Sequence, residues 1–149
     1  MTHKPVDLIL IMSLLIWAGA CLGANMIAAP AKFQVIELTQ PIALQVGRIQ
    51  FQWVAYLEYL LAILAGLAVL TASRRAKIFV AIALVLFIIQ RVIILPQLSD
   101  RTDQIISGAR TEGSPLHVYF IFCELFKIIA TMVGAFAALT ASSLKAKGI

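Results

Sequence analysis

Four ionisable side chains, Glu58, Arg91, Glu124 and Lys127, fall inside stretches of sequence that are otherwise almost wholly apolar, and their formal charges cancel. Residues of these types can hold a ligand or ion, relay a proton, or pair with one another. A charge at mid-bilayer costs roughly 2.5–3.5 kcal/mol on insertion scales, so such residues usually face a bundle interior, find partners and mark function. Glu124 and Lys127 stand three apart and can touch on one helix face. His117 precedes Glu124 by seven residues, two turns away on nearly the same face. Glu58 lies sixteen residues before Arg74, and Arg91 sixteen after Arg75. A hairpin reversing at Arg74-Arg75 places both at one depth, about 24 Å from the turn at 1.5 Å per residue. They are expected to pair.

Asn25, Tyr56, Tyr59, Gln90 and Tyr119 fall at comparable depths. The candidate ligand-binding set is therefore Glu58, Arg91, His117, Glu124, Lys127, Asn25, Tyr59 and Gln90. A purely structural reading stands beside it. Ion pairs also fix helix register, Arg91 is near enough to a helix end to snorkel, and Tyr and Trp form interface belts without any ligand. Catalysis is a third reading, with Glu124 or Glu58 as general base and Arg91 steadying an anion.

No motif names a cofactor. Cys21 and Cys123 lie in apolar runs with no CxxC partner, and read as small core residues. His117, Cys123, Cys21 and Met26 have soft-ligand chemistry suited to Cu(I), but no two share ligand-like spacing on one helix, so no metal site is expected. His3 is the other histidine, and bis-histidine haem ligation would have to recruit it from the N-terminal tail.

These side chains need elements to position them. At 62% hydrophobic and 13% charged residues, the chain of 149 is too apolar for a soluble domain, and its length suits one domain, residues 1–149. About 20 apolar residues cross a bilayer as a helix. Four segments qualify: Leu8–Ala29, Phe51–Ala72, Ile78–Leu95 and Val118–Ala141. They lack the alternation of barrel strands, so helices are the expected solution. The first run is longer than a signal-peptide core, so it is expected to be retained despite a cleavage-like Ala18-Gly19-Ala20.

Three connections differ in character. The second, Ser73 to Lys77, is short and basic. The first, Pro30 to Gln50, is long, and Thr39 before Pro41 predicts a second helix that starts well ahead of its apolar span. The third, Pro96 to His117, holds Leu98, Ile105 and Ile106, which predict a short amphipathic interfacial helix. Gly108 and Gly113-Ser114-Pro115 should end it. Lys4, Arg74, Arg75, Lys77, Lys145 and Lys147 collect on one side, whereas Lys32, Arg48, Arg101 and Arg110 are offset by Glu37, Asp100, Asp103 and Glu112. The positive-inside rule then puts both termini in the cytoplasm. The net charge of +5 is explained by topology and anionic headgroups, not by nucleic acid. Gly19 and Gly23 form a GxxxG, and Ala130, Gly134 and Ala138 repeat the spacing. Such residues let helices approach closely, so helices one and four are expected to pack together or to face another subunit.

Helix one ends in IAAPAKF, Leu95–Arg101 reads LPQLSDR, and Leu116–Lys127 reads LHVYFIFCELFK. In this layout the chain resembles the four-helix membrane family that includes transmembrane protein 205, with Pro30, Phe33, Pro96, Leu116 and His117 at the matching places. That family has no settled biochemical activity, so the resemblance implies a fold and no reaction. A weaker similarity is to the anthrone-oxygenase-like membrane family. The arginine which that family carries soon after its helix-four histidine has no counterpart in the uncharged stretch Val118 to Phe122.

The expectation is an all-α four-helix transmembrane bundle, N-in and C-in, in a prokaryotic inner membrane and contacting lipid. Its polar cluster sits in the outer half and binds or passes a small ligand or ion. The rival class is an accessory subunit, in a homo-oligomer or a larger membrane complex.

Overall fold

The computed structural model describes residues 4–109 and 114–146. His3, Arg110, Glu112, Gly113 and Lys147, used above, lie outside them. Every regular element described is helical, and four helices are long and apolar enough to cross a membrane. We name them α1 (Pro5–Gln34), α2 (Gln40–Thr71), α3 (Arg74–Ile106) and α4 (Leu116–Ala146).

The ends follow local chemistry. Pro5 occupies the first turn of α1 with Asp7 beside it, where a missing N–H costs nothing and a negative charge meets the helix dipole favourably. Thr39 is the extended residue before α2, and Pro41 sits in that helix's first turn, as its sequence predicts. The Ser73 side chain accepts a hydrogen bond from the Ala76 N–H at 3.3 Å. This cap draws Arg74, Arg75 and Lys77 into the first turns of α3, so the basic connection is shorter than expected. Gly108, at φ 81°, ends α3. The Ala109 N–H reaches the Gln104 carbonyl and the Gly108 N–H reaches Ile105, a Schellman closure that needs a left-handed residue.

Two spans depart from the expected boundaries. α1 continues past Ala29 to Gln34, and α3 passes through Pro96 to Ile106. The amphipathic segment Leu95–Ile106 is thus a continuation of the third helix and not a separate piece. In both cases a π-helical stretch precedes the proline: Cys21–Ala28 before Pro30, and Gln90–Ile94 before Pro96. A proline lacks an N–H and crowds the carbonyl four residues back. Here the Ala29 N–H bonds to Ala24 and the Leu95 N–H to Gln90, each five residues back. The widened turn lets the helix continue.

α4 packs against α1 and α3, and α1 against α2. α2 and α3, although consecutive, make only light direct contact, at their turn and where Leu95–Ile106 leans on α2. The tight hairpin implied by equal arc lengths is therefore not a packed pair. Ser142 on α4 donates to Asp7 on α1 at 3.0 Å, so the start of α1 and the end of α4 share one end of the bundle with the α2–α3 turn. Arg48 and Asp103 join α2 to α3 at the other, loop end, 2.5 Å apart.

Near the termini end the core is small and aliphatic: Leu10, Leu14, Ala65, Ala76, Val80 and Ala135 are all buried. A Cβ on Gly134 would meet Leu14 and Phe79 at 3.4 Å, so α4 presses closely on its neighbours there. Gly19 and Gly23 do not contribute to this approach: both are exposed, with nothing within 4 Å of where a Cβ would stand. Large apolar side chains such as Leu67, Phe136 and Ile63 point outward, each at least 60% exposed. With that much hydrocarbon on its surface and four spanning helices, the chain is an integral membrane protein.

Candidate functional site: a sealed charge network behind an open cavity

One face of each helix supplies the network. On α1, Leu10, Leu14, Trp17, Cys21 and Asn25 recur at helical spacing and are all buried. α2 contributes Glu58 from a face otherwise made of Ala55, Leu61 and Ala62. α3 contributes Gln90 and Arg91 from its π-helical stretch. On α4, Phe120, Glu124, Lys127 and Thr131 stack on the inward face. Widened turns reorient side chains relative to an ordinary helix, and π-bulges often occur at functional sites. Both π segments here place polar residues in the core.

Glu58 is 1% exposed and accepts from all sides. Its Oε1 takes hydrogen bonds from the Trp17 indole at 2.9 Å, the Cys21 thiol at 3.3 Å and the Lys127 ammonium. Its Oε2 pairs with Arg91, the partner expected from sequence. Glu124, fully buried, accepts from Asn25 and from Gln90, both at 2.7 Å, and lies 3.0 Å from Lys127. Lys127 also donates to Gln90 Oε1 at 2.7 Å. The ammonium therefore donates to Glu58 and Gln90 and forms an ion pair with Glu124. Two carboxylates and two cations balance, and nearly every polar atom is matched. This is the arrangement that keeps buried charge tolerable.

Cys21, Glu58 and Glu124 bring one ligand atom each to within 4.8 Å of one another, a donor set that could hold a cation. The Lys127 ammonium already bonds both carboxylates, so an internal cation fills that role. His117 and Cys123 join no such group among the described residues, and both cysteines are free thiols.

Towards the loop end, between α1, α2, α3 and the start of α4, lies a cavity of about 790 Å³. The expected site residues divide between two layers. Asn25, Tyr59, Arg91 and His117 line the cavity, whereas Glu58, Gln90, Glu124 and Lys127 stand behind it in the network. Glu58 is thus not the floor of an open site, nor are Glu124 and Lys127 a wall of one, because neighbouring side chains cover them completely. Tyr59 packs edge-on against Phe87, centroids 5.1 Å apart. Tyr56 and Tyr119 are more than half exposed and line no part of the cavity.

Of the expected site residues, Asn25 and Arg91 belong to both layers. Asn25 Oδ1 and Arg91 Nε are also the two buried side-chain polar atoms without a protein partner among the described residues. Trp17 and the Cys21 contact are not apparent from charge alone, but the spacing of Leu10, Leu14, Trp17, Cys21 and Asn25 traces that face. Lys32, Arg48 and Arg101, read from sequence as topological charges, also line the cavity.

No protein-family model, no curated protein and no solved structure matches the chain.

Proposed function

We propose that this is a membrane protein that binds, or passes, a small ligand through the cavity at its loop end. The observation that carries the reading is the cavity itself and what lines it: Asn25 and Arg91 both do, and each holds a buried polar atom with no partner among the described residues, at a desolvation cost of about 1–3 kcal/mol. The volume lies within the range of small-molecule sites, about 300–1,000 Å³. Behind it the sealed network holds Arg91 and Asn25 in place, as a supporting shell does for a binding site. The basic residues at the termini end place that end in the cytoplasm, so the cavity opens outward, in our reading from a prokaryotic inner membrane.

Filling the cavity tests the proposal. Ala55 lines it and is 8% exposed. Ala55→Trp is expected to abolish saturable binding of a polarity-sensitive naphthalene fluorophore while the variant still purifies as a single species. An unchanged fluorescence titration in a folded variant overturns the reading.

A subunit role draws on a different observation, the exposed and unopposed Gly19 and Gly23 on α1. A stoichiometric partner retained in mild detergent, and lost from Gly23→Leu, supports it. For the general-base reading, neither Glu58 nor Glu124, the bases it invokes, lines the cavity.

A further inference from the structure

The cavity wall is charged in one sense. Lys32, Arg48, Arg91 and Arg101 line it together with His117, and among the described residues no Asp or Glu does. Most of these cations are engaged elsewhere: Arg91 with Glu58, Arg48 with Asp103, and Arg101 through an interaction of its own. Lys32 differs. No carboxylate pairs with it among the described residues, and its ammonium is held only by two aromatic rings, 5.3 Å from the Phe33 centroid and 5.5 Å from that of Phe51.

Its position is nonetheless built. Gly47, buried on α2, leaves the space into which the ammonium fits, and a Cβ there would collide with Lys32 Nζ. A half-buried lysine in a glycine notch between two rings, facing a cavity and with no counter-ion among the described residues, is arranged to receive an anion. The space behind it is long and mostly apolar. Asn25 lies seven residues before Lys32, about 10 Å along α1, and Arg91 ten before Arg101, about 15 Å along α3. Met26, Ala29, Phe51, Ala55, Leu95 and Phe120 line the interval.

We infer that the ligand is an amphiphile with one anionic head, a carboxylate or a phosphate, seated against Lys32 at the cavity mouth with its apolar body running inward toward Asn25 and Arg91. The inference rests on the ligand-binding reading and adds the ligand's class. The rings of Phe33 and Phe51 stabilise the ammonium without neutralising it, which leaves its charge for the head. A neutral chain gains only the apolar wall, and a cationic head is repelled by the Lys32 ammonium.

The test uses fluorophore-tailed chains of one length bearing a carboxylic acid, a phosphate monoester, an alcohol or a primary amine, titrated into protein in zwitterionic lipid nanodiscs, with empty nanodiscs as background. The acid and the phosphate are expected to bind saturably, with the alcohol and amine at least about tenfold weaker, the loss expected for one charged hydrogen bond. Lys32→Met should bring the acid down to the level of the alcohol and leave the alcohol unchanged. Gly47→Ala keeps every charge but displaces the ammonium from its notch, and should reduce the same preference even where Lys32→Met folds poorly. Displacement of the acid by inorganic phosphate alone supports the head site and assigns it to a free anion. Failure of phosphate to compete, with the acid bound, assigns the site to a lipid-like molecule. Equal affinity for acid and alcohol overturns the inference and leaves ligand binding standing, whereas no saturable binding by any chain overturns both.

Discussion

Towards the end that carries the start of α1 and the end of α4, the four helices meet through alanine, leucine and valine along regular α-helical faces. Towards the loop end they meet through hydrogen-bonded charge, and two of them widen into π turns ahead of proline. The first region needs only shape: Ala65, Ala76 and Ala135 let backbones come close, and lipid has no polar competitor to offer. The second region must match donors with acceptors before it can pack at all. The regular half can hold the bundle together while the polar half keeps a cavity open beside it. Binding features are thus concentrated where the backbone is least regular.

The largest expected effect comes from breaking the charge balance. Lys127→Met leaves Glu124 buried against Asn25 and Gln90 with no cation, and uncompensated buried charge costs about 3–5 kcal/mol, a large share of a typical total stability of about 5–15 kcal/mol. The yield of monodisperse protein in mild detergent should collapse. Adding Glu124→Gln restores neutrality, because Glu58 keeps Arg91, and should recover much of the loss. A double variant no more stable than the single one would show that charge balance is not what the network provides. The corresponding break in the aliphatic half is smaller. Ala65 is fully buried, and Ala65→Leu forces extra methylenes between close helices at about 1–3 kcal/mol, read as a lowered thermal midpoint. Since the cavity lies at the other end, ligand affinity should be unchanged; a comparable loss of affinity would mean that the two halves are not separable.

The sequence made the aliphatic half and the helix count plain, because a bilayer admits few alternatives to long apolar helices. It also paired Glu58 with Arg91, since depth along a helix is simple arithmetic. It did not show that Arg91 reaches Glu58 across a gap between helices that hardly touch, because lateral order in a bundle is set by side-chain shape around the ring, which linear spacing does not encode. Nor did it separate the layers of the site. Glu124 and Asn25 look equally polar in a string of letters, yet one is sealed and the other meets the cavity, a distinction that depends on which neighbours cover them. The π turns were illegible for a related reason: Pro30 and Pro96 read as breakers, and the i−5 bonds that carry the helix past them appear only in coordinates.

Those turns give the smallest effect and the sharpest contrast between the halves. In a regular helix, replacing alanine by proline costs about 3 kcal/mol, and Ala83→Pro, at a fully buried position in the α-helical part of α3, should cost at least that. The reverse change at Pro96 should not return a similar gain. The Leu95 N–H already bonds to Gln90, and the Gln97 side chain reaches the Ile93 carbonyl at 2.9 Å, so the local cost of the proline has been met by the widened turn. Pro96→Ala is therefore expected to shift stability by less than about 1 kcal/mol, seen as a thermal midpoint close to that of the parent. Its consequence should appear in the site: freed from the proline, the chain can tighten toward i−4 bonding and shift the part of Arg91 that lines the cavity while its ion pair with Glu58 is kept. Fluorophore affinity would then fall while stability holds. A Pro96→Ala protein that gains several kcal/mol with affinity unchanged would make the π turn a tolerated flaw and not the device that aims Arg91 at the cavity.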